Sequence, residues 1–275
     1  MEEIVGIDPG NEEVKYASRF GVGKFFSAIG EYRDRHIESS HGKDDIVFEY
    51  QGRKGFAGTL ALAESEFGGS LMGDSKAHED TKIRVLLALH RLPASSFKII
   101  VGQPISKHVP SEKERIKKML IGTHEIVVNG ERKVIRINRV EVAAEGGASF
   151  WSNPQGGLVR IIDAGSATVN CASLVDGRYI DKDSFTINFG CNTTKSNDFG
   201  AMVRGIVAQT SKKWELNNTV LIMGGAAEKI LPYIQQYYFE SSLLSPIHNK
   251  EIYQPIYANA VGFYQIGLNV YGKTN

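Results

Sequence analysis

Two short segments of this 275-residue chain carry the same chemistry. Asp8-Pro9-Gly10-Asn11 sits between the β-branched run Glu3-Ile4-Val5-Gly6-Ile7 and Val14-Lys15-Tyr16-Ala17; Asp163-Ala164-Gly165-Ser166 sits between Leu158 to Ile162 and Thr168 to Val175. Each reads as strand, Asp-x-Gly-polar, strand, which is a β-hairpin. The glycine leaves no side chain, so backbone N–H groups at the turn can approach an anion closely, and Asn11 or Ser166 adds a donor beside them. An aspartate in the same turn would repel a bare phosphate. It fits a phosphate site when a divalent metal lies between, because Mg²⁺ prefers carboxylates through a shell of water.

A single Asp-x-Gly is an ordinary tight turn. The pair stands apart because one alignment carries it: sliding Asp8 onto Asp163 places Ile7, Gly10 and Asn11 on Ile162, Gly165 and Ser166, and Val14, Ala17 and Ser18 on Val169, Ala172 and Ser173. A repeat of this length is too long for a solenoid and indicates two copies of one α/β lobe. Two such turns facing one another would clamp a polyphosphate from both sides. Gly224-Gly225 after the strand Val220 to Met223, with Ala226 at the entry to a helix, offers a third approach point for an anion or nucleoside.

The elements that must position these residues follow from periodicity and turn chemistry. Helices are expected over Gly58 to Glu66, over Asp80 to His90, and from a capping box at Ser111 and Glu114 to about Leu120. Phe97 to Val101 reads as a buried strand, and Glu125 to Val128 with Lys133 to Asn138 as a hairpin around Asn129-Gly130. Further helices are expected from about Ala143 to Trp151, Asn197 to Lys213, after Gly225 with a break near Pro232, and from about Ala258 onward.

Composition narrows the function classes. Lys plus Arg is 32 and Asp plus Glu is 31, a formal net charge of +1, which argues against bulk phosphate-backbone binding as the main task. At 42% hydrophobic composition the chain can bury two modest cores. Cys171 and Cys191 are too few for a disulfide framework or a zinc site, which suits a reducing cytoplasm, and both are expected as buried thiols. No stretch of 18 apolar residues occurs and no basic segment precedes an apolar run at the start, so a soluble, unexported, cytoplasmic protein with no membrane partner is expected.

These motifs resemble those of the actin, hexokinase and heat-shock ATPase superfamily and, more narrowly, of the bacterial actin-like plasmid-segregation proteins of the ParM and AlfA type. Asp8 to Lys15 is similar to the first phosphate motif, Asp163 to Thr168 to the second, and Val220 to Ala226 to the adenosine motif. Val140 to Ala148, with Glu145, and Tyr257 to Phe263 resemble the two connecting helices. Val101-Gly102-Gln103-Pro104-Ile105 and the Ser75-Lys76 segment are closer to the plasmid-segregation branch than to actin, and the short chain points to the AlfA kind.

The resemblance implies an α/β fold of two RNase H-like lobes around a nucleotide cleft. Lobe I would comprise 1–143 plus 258–275, with a small subdomain IB within about 21–79, and lobe II 144–257. The stretch between Asp163 and Gly224 is too short for subdomain IIB, which most relatives insert there, so IIB is expected to be missing or much reduced. The implied cofactors are ATP or GTP with Mg. Asp8 and Asp163 would hold the metal through water, Gly10, Asn11, Lys15, Gly165, Ser166 and Thr168 the phosphates, and Gly224, Gly225 and Ala226 the nucleoside. Glu145, with Asp163, would serve catalysis by orienting the attacking water. Asn170 stands where many relatives carry an aspartate, which weakens any metal contact from that position.

The implied activity is slow hydrolysis coupled to self-assembly into a homopolymeric filament that segregates plasmids through a separate DNA-binding adaptor protein. No direct sequence-specific DNA binding is expected; the basic run Lys113, Arg115, Lys117, Lys118 reads as a solvated helix face. The competing reading is a small-molecule kinase of the same superfamily, pantothenate-kinase-like, but Ser95 to Ser149 contains no aspartate to act as its general base. A polymer that binds nucleotide without turning it over is a third. Three motif matches are set aside. Gly267 to Thr274 fits the P-loop pattern but has no helix to follow it, Gly21-Val22-Gly23 has Phe26 where a dinucleotide fingerprint needs its third glycine, and Asn192-Thr193-Thr194 is a glycosylation acceptor only in an exported chain. His36 and His41 have no ligand companions and are expected at the surface.

Overall fold

In the computed structural model, which describes residues 2–69, 75–194 and 198–272, the two Asp-x-Gly segments form the same structure twice. Glu3–Pro9 pairs antiparallel with Glu13–Ser18, setting Asp8 opposite Lys15 and Pro9 opposite Val14. Leu158–Ala164 pairs antiparallel with Val169–Val175, setting Asp163 opposite Asn170 and Ala164 opposite Val169. Each hairpin then gains a parallel neighbour on its first strand, Ser96–Gln103 in one case and Thr219–Met223 in the other. The repeat seen in the residues is therefore also a repeat of sheet register.

The first hairpin lies in a nine-stranded mixed sheet among the described residues. From one edge it runs Gly21–Phe26, Glu13–Ser18, Glu3–Pro9, Ser96–Gln103, Glu131–Ala144, Gly122–Val128, Asp45–Tyr50, Arg53–Gly58 and Ile29–Glu31. The second lies in a six-stranded sheet of Arg178–Tyr179, Val169–Val175, Leu158–Ala164, Thr219–Met223 and Ser241–Leu243, with Phe185–Ile187 also paired to Val169–Val175. Each sheet has its own apolar core. Glu79–His90 packs Ile83, Leu86 and Leu87 with Phe97, Ile99 and Val101 on the first, and Phe199–Thr210 packs Val203 and Ile206 with Ile162 and Ile222 on the second. Ala258–Tyr271, the expected closing helix, sets Ala260 and Val261 against Ala17, and Phe263 against Ile100 and Ala148.

Several expectations are corrected. Glu131–Ala144 is one long strand, antiparallel to Gly122–Val128 in its first half and parallel to Ser96–Gln103 in its second, so it continues well past Asn138. It also consumes the start of the helix expected over Ala143 to Trp151. No α-helix forms there: Gly146 takes φ +72, which ends any regular run, and only a 3₁₀ turn, Ala148–Ser152, follows. The helix Pro110–Leu120 starts on a proline with Val109 as its cap and no side-chain cap bond, so Ser111 and Glu114 do not form a capping box. Asp198 caps Phe199–Thr210 by accepting from the Ala201 N–H, while Asn197 lies outside the described residues. The helix after Gly225, Ala227–Ile234, carries Pro232 inside it and ends two residues later. Cys171 is buried as expected, but Cys191 is only partly so.

Between Asp163 and Gly224 the described chain makes the second strand of the hairpin, short edge pieces, one helix and the strand Thr219–Met223. The segment resembling a P-loop lies largely in the closing helix, with Lys273 and Thr274 outside the described residues; Gly21-Val22-Gly23 is part of a strand. His36 and His41 are exposed.

Candidate functional site

The two hairpin turns face one another across a cavity of about 410 Å³. Asp8, Gly10, Asn11 and Lys15 line it from the first hairpin, Asp163, Gly165, Ser166 and Thr168 from the second, and Gly224 and Gly225 close one side. Glu145 lines it as well, although no helix carries it: its backbone N–H donates to the Gln103 carbonyl at 2.9 Å at the end of the long strand. Of the residues singled out in the sequence only Ala226 stays out of the cavity, buried behind it ahead of Ala227–Ile234. Gly224 takes φ +94, and a Cβ there would fall 2.5 Å from the Ala164 carbonyl oxygen, so the close approach of the Gly-Gly loop to the second hairpin requires glycine.

The electrostatics centre on three buried acids, Asp8, Glu145 and Asp163. Lys15 Nζ lies 3.6 Å from one carboxylate oxygen of Asp8, and Lys76 Nζ lies 3.7 Å from the other. Lys76 also hydrogen-bonds Glu145 Oε1, while Asn170 Nδ2 donates to Glu145 Oε2 at 3.3 Å. Asn259, on the closing helix, donates from Nδ2 to Asp163 Oδ2 at 3.0 Å and accepts from the Gly146 N–H on its Oδ1, also at 3.0 Å. Burial, and then the charges of Glu145 and Asp8, push the Asp163 carboxyl up to about 7. Burial likewise raises Glu145, against the pull of Lys76. Burial alone would lower the Lys76 ammonium, but the charges of Glu145 and Asp8 outweigh it and raise its pKa, so it stays charged.

An acid cluster short of positive charge, lining one cavity with two glycine-bearing turns and the donors Asn11, Ser166 and Thr168, fits a metal-bound polyphosphate. Among the described residues no group of three or more His, Cys, Asp or Glu is arranged to grip a metal directly.

Two cavity residues were missed or undervalued in the sequence. Lys76 enters from the segment before Glu79–His90, far in sequence from either hairpin; the resemblance had marked the Ser75-Lys76 segment without giving Lys76 a role. Asn170 is fully engaged: its Oδ1 accepts from Thr186 Oγ1 at 2.9 Å and from the Ile105 N–H at 3.3 Å, while its Nδ2 donates to Glu145. An aspartate would exchange that donor for a fourth buried charge. Asn170→Asp is therefore expected to lower the thermal stability of the nucleotide-free chain by about 1–3 kcal/mol at neutral pH. The gap to wild type should widen between pH 5 and 8 in melting experiments, and a variant as stable as wild type at pH 8 would contradict this account of Asn170.

In the basic run, Arg115 pairs with Glu112 and Lys117 with Glu141 at 2.8 Å, so two of the four positive charges are already matched by acids.

The model of the N-terminal domain of actin-like proteins matches residues 6–147, more than half of the chain. The chain is an actin-like protein. Its mixed sheets have the actin-like fold, and solved structures agree over nearly the whole length. The actin-like chain is 25% identical to one described as "AlfA Filament bound to AMPPNP", with a TM-score of 0.77 over 99% of this chain and 98% of that one. It is 23% identical, at the same TM-score and with 98% of each chain covered, to AlfA of a Bacillus subtilis plasmid in its filament structure. A 15-stranded ParM filament from Clostridium botulinum aligns at TM-score 0.79 with 16% identity, over 98% of this chain and 99% of that one. Among curated proteins none matches the actin-like chain in sequence. No helix among its described residues is long and apolar enough to cross a membrane.

Proposed function

We propose that this actin-like chain binds ATP or GTP with Mg in the cavity between its two Asp-x-Gly hairpins, hydrolyses it slowly, and assembles with copies of itself into a filament. The observation that carries the reading is the pair of equivalent turns meeting over one cavity that also holds Glu145. The likeness over whole chains to an AlfA filament bound to AMPPNP supports both the nucleotide and the polymer.

In this reading, the turns at Gly10 and Gly165 with Asn11, Lys15, Ser166 and Thr168 hold the phosphates. Gly224 and Gly225 let the nucleoside approach the backbone, with Ala226 shaping the loop from behind. Asp8 and Asp163 hold the metal ion through water; bound there, it would offset phosphate charge. Glu145 orients the attacking water, and Asn259 fixes Asp163 and the Gly146 backbone relative to each other. The two lobes are 1–143 with 258–275, including a small IB part within about 21–79, and 144–257 without a IIB insertion. Hydrolysis weakens a subunit interface that the triphosphate braces, so it serves filament turnover. The filament works in the cytoplasm to separate plasmid copies, reaching DNA through an adaptor protein.

Sedimentation and negative-stain microscopy of the full chain with ATP, GTP or neither, each with and without Mg, test the reading. Polymer that pellets only with a nucleoside triphosphate and Mg is expected. Nucleotide binding without polymer under any of these conditions would favour the kinase alternative, and no binding at all would remove the reading entirely.

A further inference from the structure

Among the described residues, Lys76 is the one side chain in the cavity that pairs with the acids of the first hairpin and of the Glu145 loop together. It belongs to neither hairpin and arrives on a short segment whose ends are tied down. Ser75 Oγ donates to the carboxylate of Glu112, and His78 Nδ1 caps the following helix by accepting from the Thr81 N–H at 3.3 Å. Ser75 and His78 are thus held by their side chains on either side of Lys76, and the long Lys76 side chain reaches across to both acids. That side chain is 11% exposed, lines the cavity, hydrogen-bonds Glu145 Oε1 and lies 3.7 Å from Asp8 Oδ1. The groups facing it are Glu145, Asp8 and, from the helix behind, the buried guanidinium of Arg84.

This leaves Glu145 engaged at both oxygens, Oε1 by Lys76 and Oε2 by Asn170. The Asn170 amide is itself held by Thr186 and the Ile105 N–H, so it has reason to stay. The ammonium has three donors on a flexible stem and is held by the charges of Glu145 and Asp8, so a more highly charged anion within its reach can draw it away. A terminal phosphate placed where Glu145 can aim water at it lies within one side chain's reach of Lys76. Its oxygens carry more negative charge than a single carboxylate and attract an ammonium more strongly.

We propose that Lys76 reads the terminal phosphate: in the empty cleft it ties Asp8 to Glu145, and with a triphosphate present it moves onto the last phosphoryl group and frees Glu145 to take hold of water. Lys76 is then the residue that distinguishes triphosphate from diphosphate, and the hydrolytic carboxylate is released only when there is something to hydrolyse. The inference rests on the proposed nucleotide site and adds to it a residue that neither hairpin motif contains.

The test is calorimetric titration of the full chain, in the presence of magnesium, with a non-hydrolysable adenosine triphosphate analogue and with adenosine diphosphate, the guanosine pair run alongside. Lys76→Met should weaken the triphosphate analogue by about tenfold or more and the diphosphate by less than about threefold, and Lys76→Arg should recover most of the loss. Glu145→Gln supplies the converse readout and covers the case in which Lys76→Met does not fold. With its carboxylate partner neutralised, Lys76 is free in advance, so the triphosphate analogue should bind a few-fold tighter while the diphosphate changes little. Equal losses for both nucleotides in Lys76→Met, or no loss for either, would overturn the proposal, as would a Glu145→Gln variant that loses triphosphate affinity selectively. Binding of neither nucleotide by the wild-type chain would instead strike the proposed function, and this inference with it.

Discussion

Phosphate release by Glu145→Gln is expected to be slower than by the wild-type chain by about a hundred- to ten-thousandfold, the range over which a positioned general base contributes. Triphosphate binding should survive the change. The reasoning is local: Glu145 is the only acid of the buried trio that belongs to neither phosphate turn, and it is held in place by its own N–H on Gln103, by Lys76 and by Asn170. The glutamine keeps the shape and the Asn170 contact through its amide oxygen, yet it can neither accept a proton from water nor polarise it with a full charge. Filaments formed with the variant should persist, because the step that weakens the interface is removed. Single-turnover release of phosphate, measured beside pelleting over time, checks both halves. A variant that hydrolyses at the wild-type rate while filaments still disassemble would remove Glu145 from the mechanism and favour a polymer whose dynamics do not depend on turnover.

Asp163→Asn is expected to act in opposite directions on function and on stability. The exposed carboxyl titrates near 3.8, and in the folded chain it is pushed up to about 7 by burial and by the charges of Glu145 and Asp8. Between those values the folded chain keeps a proton that the unfolded chain has released. Its stability therefore falls as pH rises from about 4 to about 7 and is level above that. The asparagine removes this loss and can still bond Asn259 through its amide. At pH 8 the variant without nucleotide should melt several degrees above wild type, a gain of about 2 kcal/mol corresponding to roughly 5 °C in a chain of this size, and near pH 4 the two should converge. The same variant should lose nucleotide affinity by about a hundredfold or more, since the proposed site would lose a carboxylate that serves the metal-bound phosphate. Melting curves from pH 4 to 8, with and without triphosphate and magnesium, separate the effects. If the variant shows the wild-type slope with pH, the buried carboxyl at Asp163 is not the group responsible.

The two predictions share a cause. The acids that would work on a bound nucleotide repel one another when the cleft is empty, and Lys15 and Lys76 offset that repulsion only in part. Ligand and metal together supply what the fold lacks, so occupancy of the cleft should stabilise the chain most at the pH where the empty form is weakest.

Much of the site could be read from the chain because its chemistry is local. A tight Asp-x-Gly turn needs its glycine and its aspartate within four residues, and the internal repeat showed that the same turn had been built twice; the register Asp8 opposite Lys15 and Asp163 opposite Asn170 then follows from hairpin pairing. Gly224-Gly225 and the closing helix were legible for the same reason. Glu145 was identified through resemblance but set on the wrong element, because Ala143 to Trp151 has apolar residues enough for a helix. What decides against the helix is non-local: Ala143 and Ala144 are taken by pairing with Gly102 and Gln103, and Gly146 turns the chain with a positive φ.

Residue type and short-range spacing thus determined the two turns, their acids and the glycines around them, since backbone conformation and hydrogen bonding within a few residues settle those. Tertiary structure alone decided that Lys76 reaches Glu145 and Asp8, that Asn259 joins Asp163 to Gly146, and that Asn170 donates to the Glu145 carboxylate. Each of these contacts spans tens of residues or more, and the packing of sheets and helices, which no local pattern encodes, is what brings the partners within hydrogen-bonding distance.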